Sequence, residues 1–487
     1  MNRTRASTAW TFAITAIALF MVALDNLVVT TALPVIRRDL GSTLQDLEWM
    51  VNAYTLTFAV LLLTGAALGD RFGRRRFFVI GLIVFTAGSA AAALAPSSGV
   101  LILARAVQGL GGAFVTPLTL TILSAAVSPE RRALALGAWG GVGGLAIAVG
   151  PLVGGAIAQG VNWHWIFWLN VPVGIVAVVL AFLRLEETRG PAGRLDLVGL
   201  GLASAGLLGL VWGVIHGNDR GWTDPQIVVA LVVGAILVVA FGAWERRASA
   251  PMLPLHMFRS RAFAAANAVS LLMYFGMFGS IFLLSQFFQV VQGLNPFEAG
   301  LRILPWTAMP AVVAPIAGLL AGRIGSRPIL VPGLALMAIG LAWLAAVMSP
   351  TVAYATLVPA FVVSGVGMGM FFAPIANVVL SAVLPEEEGK ASGANNAIRE
   401  IGGVFGVAVL ASIFSANGSY ASPQAYVDGL IPAVWVGAAI VAAGAVVALI
   451  IPSRVAAAMR GGIQTRDSAR DATDGSTRSL PEGDLAA

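Results

Sequence analysis

The sequence has no cysteine, only three histidines among 487 residues, and only 11% charged residues. Without cysteine no disulfide, thiolate metal site or iron–sulfur cluster can form. The histidines are scattered, no Ser/His/Asp set is readable, and no glycine-rich phosphate loop of the Walker type is present. Nothing therefore supports ATP hydrolysis or a metal enzyme, and neither a metal, a cofactor nor an enzymatic activity is expected. Soluble domains carry about 25% charged residues. A soluble chain this poor in charge could not cover its surface with polar groups.

What the chain has instead is apolar length. Of its residues 58% are hydrophobic, and they come in long runs such as 227–244. Runs of about 18 or more read as membrane spans. The pattern predicts an all-α integral membrane protein of roughly fourteen spans, the first at 10–33 and the last at 429–451. The first run is too long for a signal peptide and holds Asp25, so it reads as a span. The net charge of +6 sits in short loops between the runs, which points to membrane orientation and lipid contact rather than nucleic acid. Loops holding Arg71, Arg74, Arg75, Arg76, Arg246, Arg247, Arg259, Arg261, Arg323 and Arg327 fall on one side. Arg37, Arg38 and Arg220 fall on the other. The positive-inside bias places both termini in the cytoplasm, including residues 1–9. The polar stretch 452–487 reads as a disordered cytoplasmic tail.

The chain also repeats itself. Val107-Gln108-Gly109-Leu110-Gly111 recurs as Val363-Ser364-Gly365-Val366-Gly367. Gly69-Asp70-Arg71-Phe72-Gly73-Arg74-Arg75 echoes in Ala321-Gly322-Arg323-Ile324-Gly325-Ser326-Arg327. The similar offsets predict a six-helix bundle at 10–184, a second at 263–451, and two linker spans at 195–244.

Within this apolar frame a few residues carry chemistry. Asp25 lies inside the first run, where a carboxylate costs at least about 2.5–3.5 kcal/mol, so it should face a cavity or a partner. Arg105 lies at a similar depth in the fourth run and needs an anion, a carbonyl dipole or water. The two are expected to meet, with Gln108 one turn from Arg105, as a proton-coupling and substrate centre. The loop of Gly69, Asp70, Arg71, Gly73, Arg74 and Arg75 is a candidate inner gate, its acid and arginines able to latch one conformation. Gly137, Gly141, Gly144, Ala148, Pro151 and Gly155 fall on one helix face that allows close helix approach, with Pro151 as a kink. Asn52, Tyr54, Gln286, Gln289 and Arg399 are candidate cavity residues. Met273, Phe275, Met277, Phe278 and Phe282 could form an adaptable apolar wall, with lipid-facing or core filling as the plainer reading, and His164 and His256 read as solvated helix ends.

Taken in order, these motifs resemble the major facilitator superfamily, in its fourteen-helix drug:proton antiporter branch. The resemblance covers about 1–455. It rests on Leu24-Asp25 through Leu33-Pro34, on Trp49, Asn52 and Tyr54, on the loop 69–75, and on Leu101, Arg105, Gln108, Gly109 and Gly111. Gly150-Pro151 with Gly154-Gly155 matches the antiporter signature. Asn395, Asn396, Arg399 and Gly402-Gly403 match the thirteenth-helix segment. Ala66 and Ala146 stand where the patterns usually have Gly, and His164 where Arg is usual.

The resemblance implies two pseudo-symmetric six-helix bundles plus two extra helices, in the cell membrane. It implies export of small amphiphilic or cationic compounds in exchange for protons, hence drug or antibiotic resistance, with the proton gradient as the energy source. An exporter of one metabolite, an uptake symporter and a non-transporting scaffold or sensor are the alternatives.

Overall fold

The computed structural model describes all residues except Met1, Ser128, 191–194, 385–386 and 453–487, so the expected tail lies outside the described residues. At Gly137 and Ala148, as at 129–134, only the helical backbone is described. The first half comprises α1 (Asn2–Leu40), α2 (Leu44–Phe72), α3 (Arg74–Ala93), α4 (Ser98–Ala126), α5 (Pro129–Gly160), α6 (His164–Trp168) and α7 (Asn170–Arg184). A hairpin follows, α8 (Leu197–Arg220) and α9 (Pro225–Glu245). The second half comprises α10 (Arg261–Val290), α11 (Pro296–Thr307), α12 (Met309–Ile324), α13 (Arg327–Val347), α14 (Tyr354–Ser381), α15 (Glu388–Asn417) and α16 (Pro423–Ala448).

Among the described residues 13 helical segments are long and apolar enough to cross a membrane. Two of these are bent rods: α6 with α7, and α11 with α12, where Pro305 and Pro310 flank the break. α5, 32 residues long with Pro151 inside it, is a further rod beside them. The helix ends carry their own start signals. Thr43 and Asp46 form a capping box at α2, and Asn295 and Glu298 form another at α11. Asp196, Asp224, Ser260 and Ser422 each accept a backbone N–H at the start of a helix.

The packing repeats from half to half. α2 and α3 pack on α4 as α12 and α13 pack on α14. α1 packs on α5 as α10 packs on α15, and α3 on α7 as α13 on α16. The small residues of the sequence echo explain why. A side chain on Gly109 would strike the carbonyl of Tyr54, and one on Gly365 the carbonyl of Trp306. Gly88 is pressed against the backbone of Gln108, and Gly340 against that of Ser364. Such contacts let backbones approach where lipid gives no hydrophobic push between helices.

The halves meet along two seams, α5 with α11 and α2 with α15, and α1 also touches α10. The α8–α9 hairpin leans on α15 and α2. Its Val229, Val232 and Val239 stand exposed at 58%, 51% and 73%, a face suited to lipid rather than water.

Candidate functional site

A cavity of about 1520 Å³ lies between the halves. The first half supplies Asn26, Leu27, Tyr54 and Phe58 to its wall, and α5 supplies Trp139, Gly141 and Gly144. The second half supplies Tyr274, Phe278, Phe371, Asn395, Arg399 and Glu400. Arg74, Ser124, Glu388 and Ser392 line its mouth, so it opens at the arginine-rich end.

Behind the wall of the first half lies the expected ion pair. Asp25 and Arg105 form a salt bridge, both side chains wholly buried. The carboxylate accepts further hydrogen bonds from Gln108 Nε2 at 3.0 Å and Asn170 Nδ2 at 2.7 Å. Ser89 Oγ accepts from the same two amides at 2.6 and 3.1 Å. Arg105 Nε donates to the Met50 carbonyl at 3.1 Å, and the guanidinium lies 4.3 Å from the centre of the Tyr54 ring. Asp25 therefore holds one cation and two amide donors, a set matched to a carboxylate. Tyr54 faces both ways: its ring covers Arg105, its hydroxyl donates to the Val22 carbonyl at 3.0 Å, and it lines the cavity. The wall runs through Asn26 and Tyr54, so Asp25 reaches the cavity only through its partners.

The cavity has an acid of its own that the motifs did not single out. Glu400 is 6% exposed, with Arg399 Nε 3.5 Å from Oε1 and no hydrogen-bond partner at Oε2. The Arg399 guanidinium lies 5.2 Å from the Tyr274 ring centre. The rule that drew attention to Asp25, an ionisable group inside an apolar run, applies equally to Glu400. Neither Asn170, which stands in a family-like run after the fifth span, nor Ser89 is assigned a role by the sequence. Asn170 sits at the break between α6 and α7, where its side chain can turn inward.

Of the candidate cavity residues, Tyr54 and Arg399 lie in the wall. Asn52, Gln286 and Gln289 do not line it. Asn52 is buried on α2, with neither amide atom partnered. Gln289 Nε2 donates to the Thr31 carbonyl at 2.7 Å, and Gln286 Oε1 accepts from the Tyr420 hydroxyl at 2.7 Å. Helical phase is the reason: the far end of α10 turns this face to α1, where Ser285 also donates to the Thr30 carbonyl at 3.2 Å.

These amides belong to a seal that closes the end away from the cavity mouth. Arg37 of the first half stacks on Tyr420 of the second, 3.6 Å from the ring centre. Burial pushes the Tyr420 phenol well above its ordinary range despite the nearby Arg37, so the ring stays neutral. α5 closes the other seam, where Gly155 lies against the Pro296 carbonyl and Gly300 against that of Pro151. Gly150 and Gly154 pack on Leu27 and Val28 of α1. Gly144 faces the cavity.

The loop at the mouth is docked within its own half. Asp70 Oδ1 accepts from Arg74 Nε at 2.7 Å, and its carbonyl accepts from Gly190 N at 3.0 Å. Glu187 accepts the backbone N–H groups of Arg75 and Arg76, at 3.0 and 3.1 Å. Gly73 makes the turn at φ 121°, and a side chain there would meet the Glu187 carboxylate. Gly69 packs against Leu118, and Arg71 stacks on Phe72.

A family model described as Major Facilitator Superfamily matches residues 15–407 and again 267–462. The chain belongs to the Major Facilitator Superfamily. This facilitator is 38% identical over 418 residues to the multidrug resistance protein Stp of Mycobacterium tuberculosis, spanning 85% of the chain and 77% of that protein. It is 34% identical to the tetracenomycin C resistance and export protein of Streptomyces glaucescens, over 86% of the chain and 78% of the relative. It is 35% identical to the puromycin resistance protein pur8 of Streptomyces alboniger, over 87% and 86%. The fold matches a solved bacterial homologue of the human lysosomal transporter Spinster with a TM-score of 0.65 at 18% identity, over 91% and 97% of the two chains. The facilitator is thus a multi-pass membrane transporter of small molecules, of the efflux kind, and not an enzyme.

Proposed function

We propose that this facilitator is a proton-coupled antiporter that expels amphiphilic, cationic drug-like molecules from the cytoplasm by alternating access. The observation that carries this reading is the cavity: apolar and aromatic walls around the Glu400 carboxylate, one of whose oxygens has no partner. Aromatic faces and an incompletely neutralised acid suit a cation with an apolar body. The arginine-rich mouth is the cytoplasmic one by the positive-inside rule, which also puts both termini inside.

Coupling runs through the buried pair. The donors around Asp25 fit its charged form, and Arg105 cannot give up its proton. Protonating Asp25 releases Arg105 against Tyr54, which is both the lid over the pair and part of the substrate wall. The two bundles, residues 10–184 and 263–451, rock about the α5–α11 and α2–α15 seams, with 195–244 riding alongside. The loop around Asp70 latches the first half when its mouth closes. One proton moving down 100 mV supplies about 2.3 kcal/mol, roughly fiftyfold accumulation of a neutral substrate.

The test is transport in proteoliposomes under an imposed pH gradient. Asp25→Asn should abolish proton movement driven by a cationic substrate; wild-type coupling in that variant refutes the role. Several relatives are named for resistance to a single compound, which keeps an exporter of one metabolite as the second reading. A toxicity panel separates the two, since a dedicated exporter protects against one compound class only.

A further inference from the structure

At the sealed end one more acid is buried in the helix bundle. Glu48, in the second turn of α2, is 2% exposed, and its Oε2 has no hydrogen-bond partner. Among the described residues no salt bridge reaches it. One turn further along the same face, Asn52 is wholly buried with its amide oxygen and nitrogen both unpartnered. Helices α1, α3, α4, α8 and α15 pack against α2, and the Tyr420 segment lies within electrostatic reach of Glu48.

None of these elements brings Glu48 a cation. From α1, Arg37 is stacked on Tyr420, while Arg38 is exposed and Asp39, also exposed, accepts from Trp163. From α4, Arg105 is bound to Asp25, Gln108 and the Met50 carbonyl. From α8, Arg220 reaches Gln226, His216 has an unpartnered ring nitrogen, and Asp219 adds a negative charge close by. The outer half of α15 and the whole of α3 beyond Arg76 carry no titratable side chain. A carboxylate in such a place lacks the counter-charge or multiple donors it requires. A carboxylic acid needs only an acceptor, and the Asn52 amide oxygen is unclaimed. Asp219 is exposed at the end of α8, so water reaches the edge of this cluster.

We propose that Glu48 is a second proton-binding site of the cycle, loaded from the end opposite the cavity mouth, and that the Arg37–Tyr420 seal closes when Glu48 is protonated. This rests on the antiport reading above. Opening the seal would hydrate Glu48 and let it ionise, whereas closing requires it to take up a proton. External acid thus drives the carrier back to the state open at the arginine-rich end, so proton entry and the return stroke are one event.

The absence of cysteine makes the test direct. Cysteines placed at Gln45 and Ala421, which line the small pocket beside the seal from the first and the second half, carry spin labels in the full-length protein in lipid nanodiscs. Pulsed electron paramagnetic resonance then reads the distance between the halves without any need for flux. The expected result is a population with the seal open that grows as pH rises. Glu48→Gln should lose that response and stay closed throughout, and Glu48→Asp should restore it, which excludes misfolding as the cause. A wild-type distance that does not change with pH, or a Glu48→Gln variant that responds as wild type does, overturns the proposal. Asp25→Asn is expected to offset the open population at every pH while its dependence on pH, set by Glu48, persists, so a failure of coupling at Asp25 registers separately in the flux assay above.

Discussion

The two halves share a backbone plan and differ in what fills it. Gly109 packs under the Tyr54 carbonyl, and Gly365 under that of Trp306. Above Tyr54 lies the Arg105 guanidinium, 4.3 Å from the ring centre, whereas the echoing place beside Trp306 holds Phe361, stacked at 6.1 Å. Gln108, a donor to Asp25, is answered by Ser364, whose hydroxyl has no partner. One half has built a charge network where the other has built an aromatic core. The second half keeps its acid elsewhere, at Glu400 on the cavity wall, where it is only half satisfied. A transporter of this plan can therefore separate the group that senses protons from the group that meets the cargo.

The comparison is broken most severely at Arg105. Arg105→Ala leaves Asp25 buried without its cation, at a cost of about 3–5 kcal/mol, and should abolish flux. Writing Phe and Ser, the residues of the second half, at Arg105 and Gln108, and replacing the acid by the neutral Asp25→Ser, should recover much of that stability while restoring no proton coupling. Thermal unfolding in detergent and exchange in proteoliposomes read the two effects independently. If the triple variant still couples, the network is structural only.

A smaller effect is expected at the cavity acid. Glu400→Gln should weaken binding of a monovalent cationic substrate about tenfold, or roughly 1.4 kcal/mol, and leave a neutral substrate of the same shape nearly unchanged. Equal losses for both, measured by fluorescence quenching, would remove Glu400 from cation recognition. The smallest change concerns the seal. Tyr420→Leu removes a cation–π contact worth about 0.5–2 kcal/mol and should shift the population toward the state open at that end, whereas Tyr420→Phe should shift it less. Accessibility of a cysteine placed at Gln45 measures both.

Much of this was legible in the sequence, for identifiable reasons. Run length gave the helices because a span must be about 20 residues long whatever its neighbours. The echo of Gly109 in Gly365 reflects close approaches that tolerate no side chain, so the repeat survives where packing is tightest. Asp25 and Arg105 met because two isolated charges at one depth have few other solutions. Gln286 and Gln289 were harder, since a span's composition does not say which face turns to the cavity, which to Tyr420 and which to α1. Arg399 was singled out as a cavity residue, but Glu400 beside it was not, because the motif of α15 carries the arginine and says nothing of its neighbour. Glu48 was obscured by its place near a helix start, where an acid ordinarily belongs to the cap, a task that Asp46 performs here.

The contact between Arg37 and Tyr420 has a consequence for the setting in which the carrier works. Mobile ions screen exposed charge pairs over about 8–10 Å, so a barrier held by surface ion pairs would slacken in brine. Here a guanidinium lies flat on a ring and glycines fit beneath carbonyls, interactions that depend little on dissolved electrolyte. The barrier on that side should hold equally well in dilute and in salty surroundings, leaving acidity as the signal that moves it.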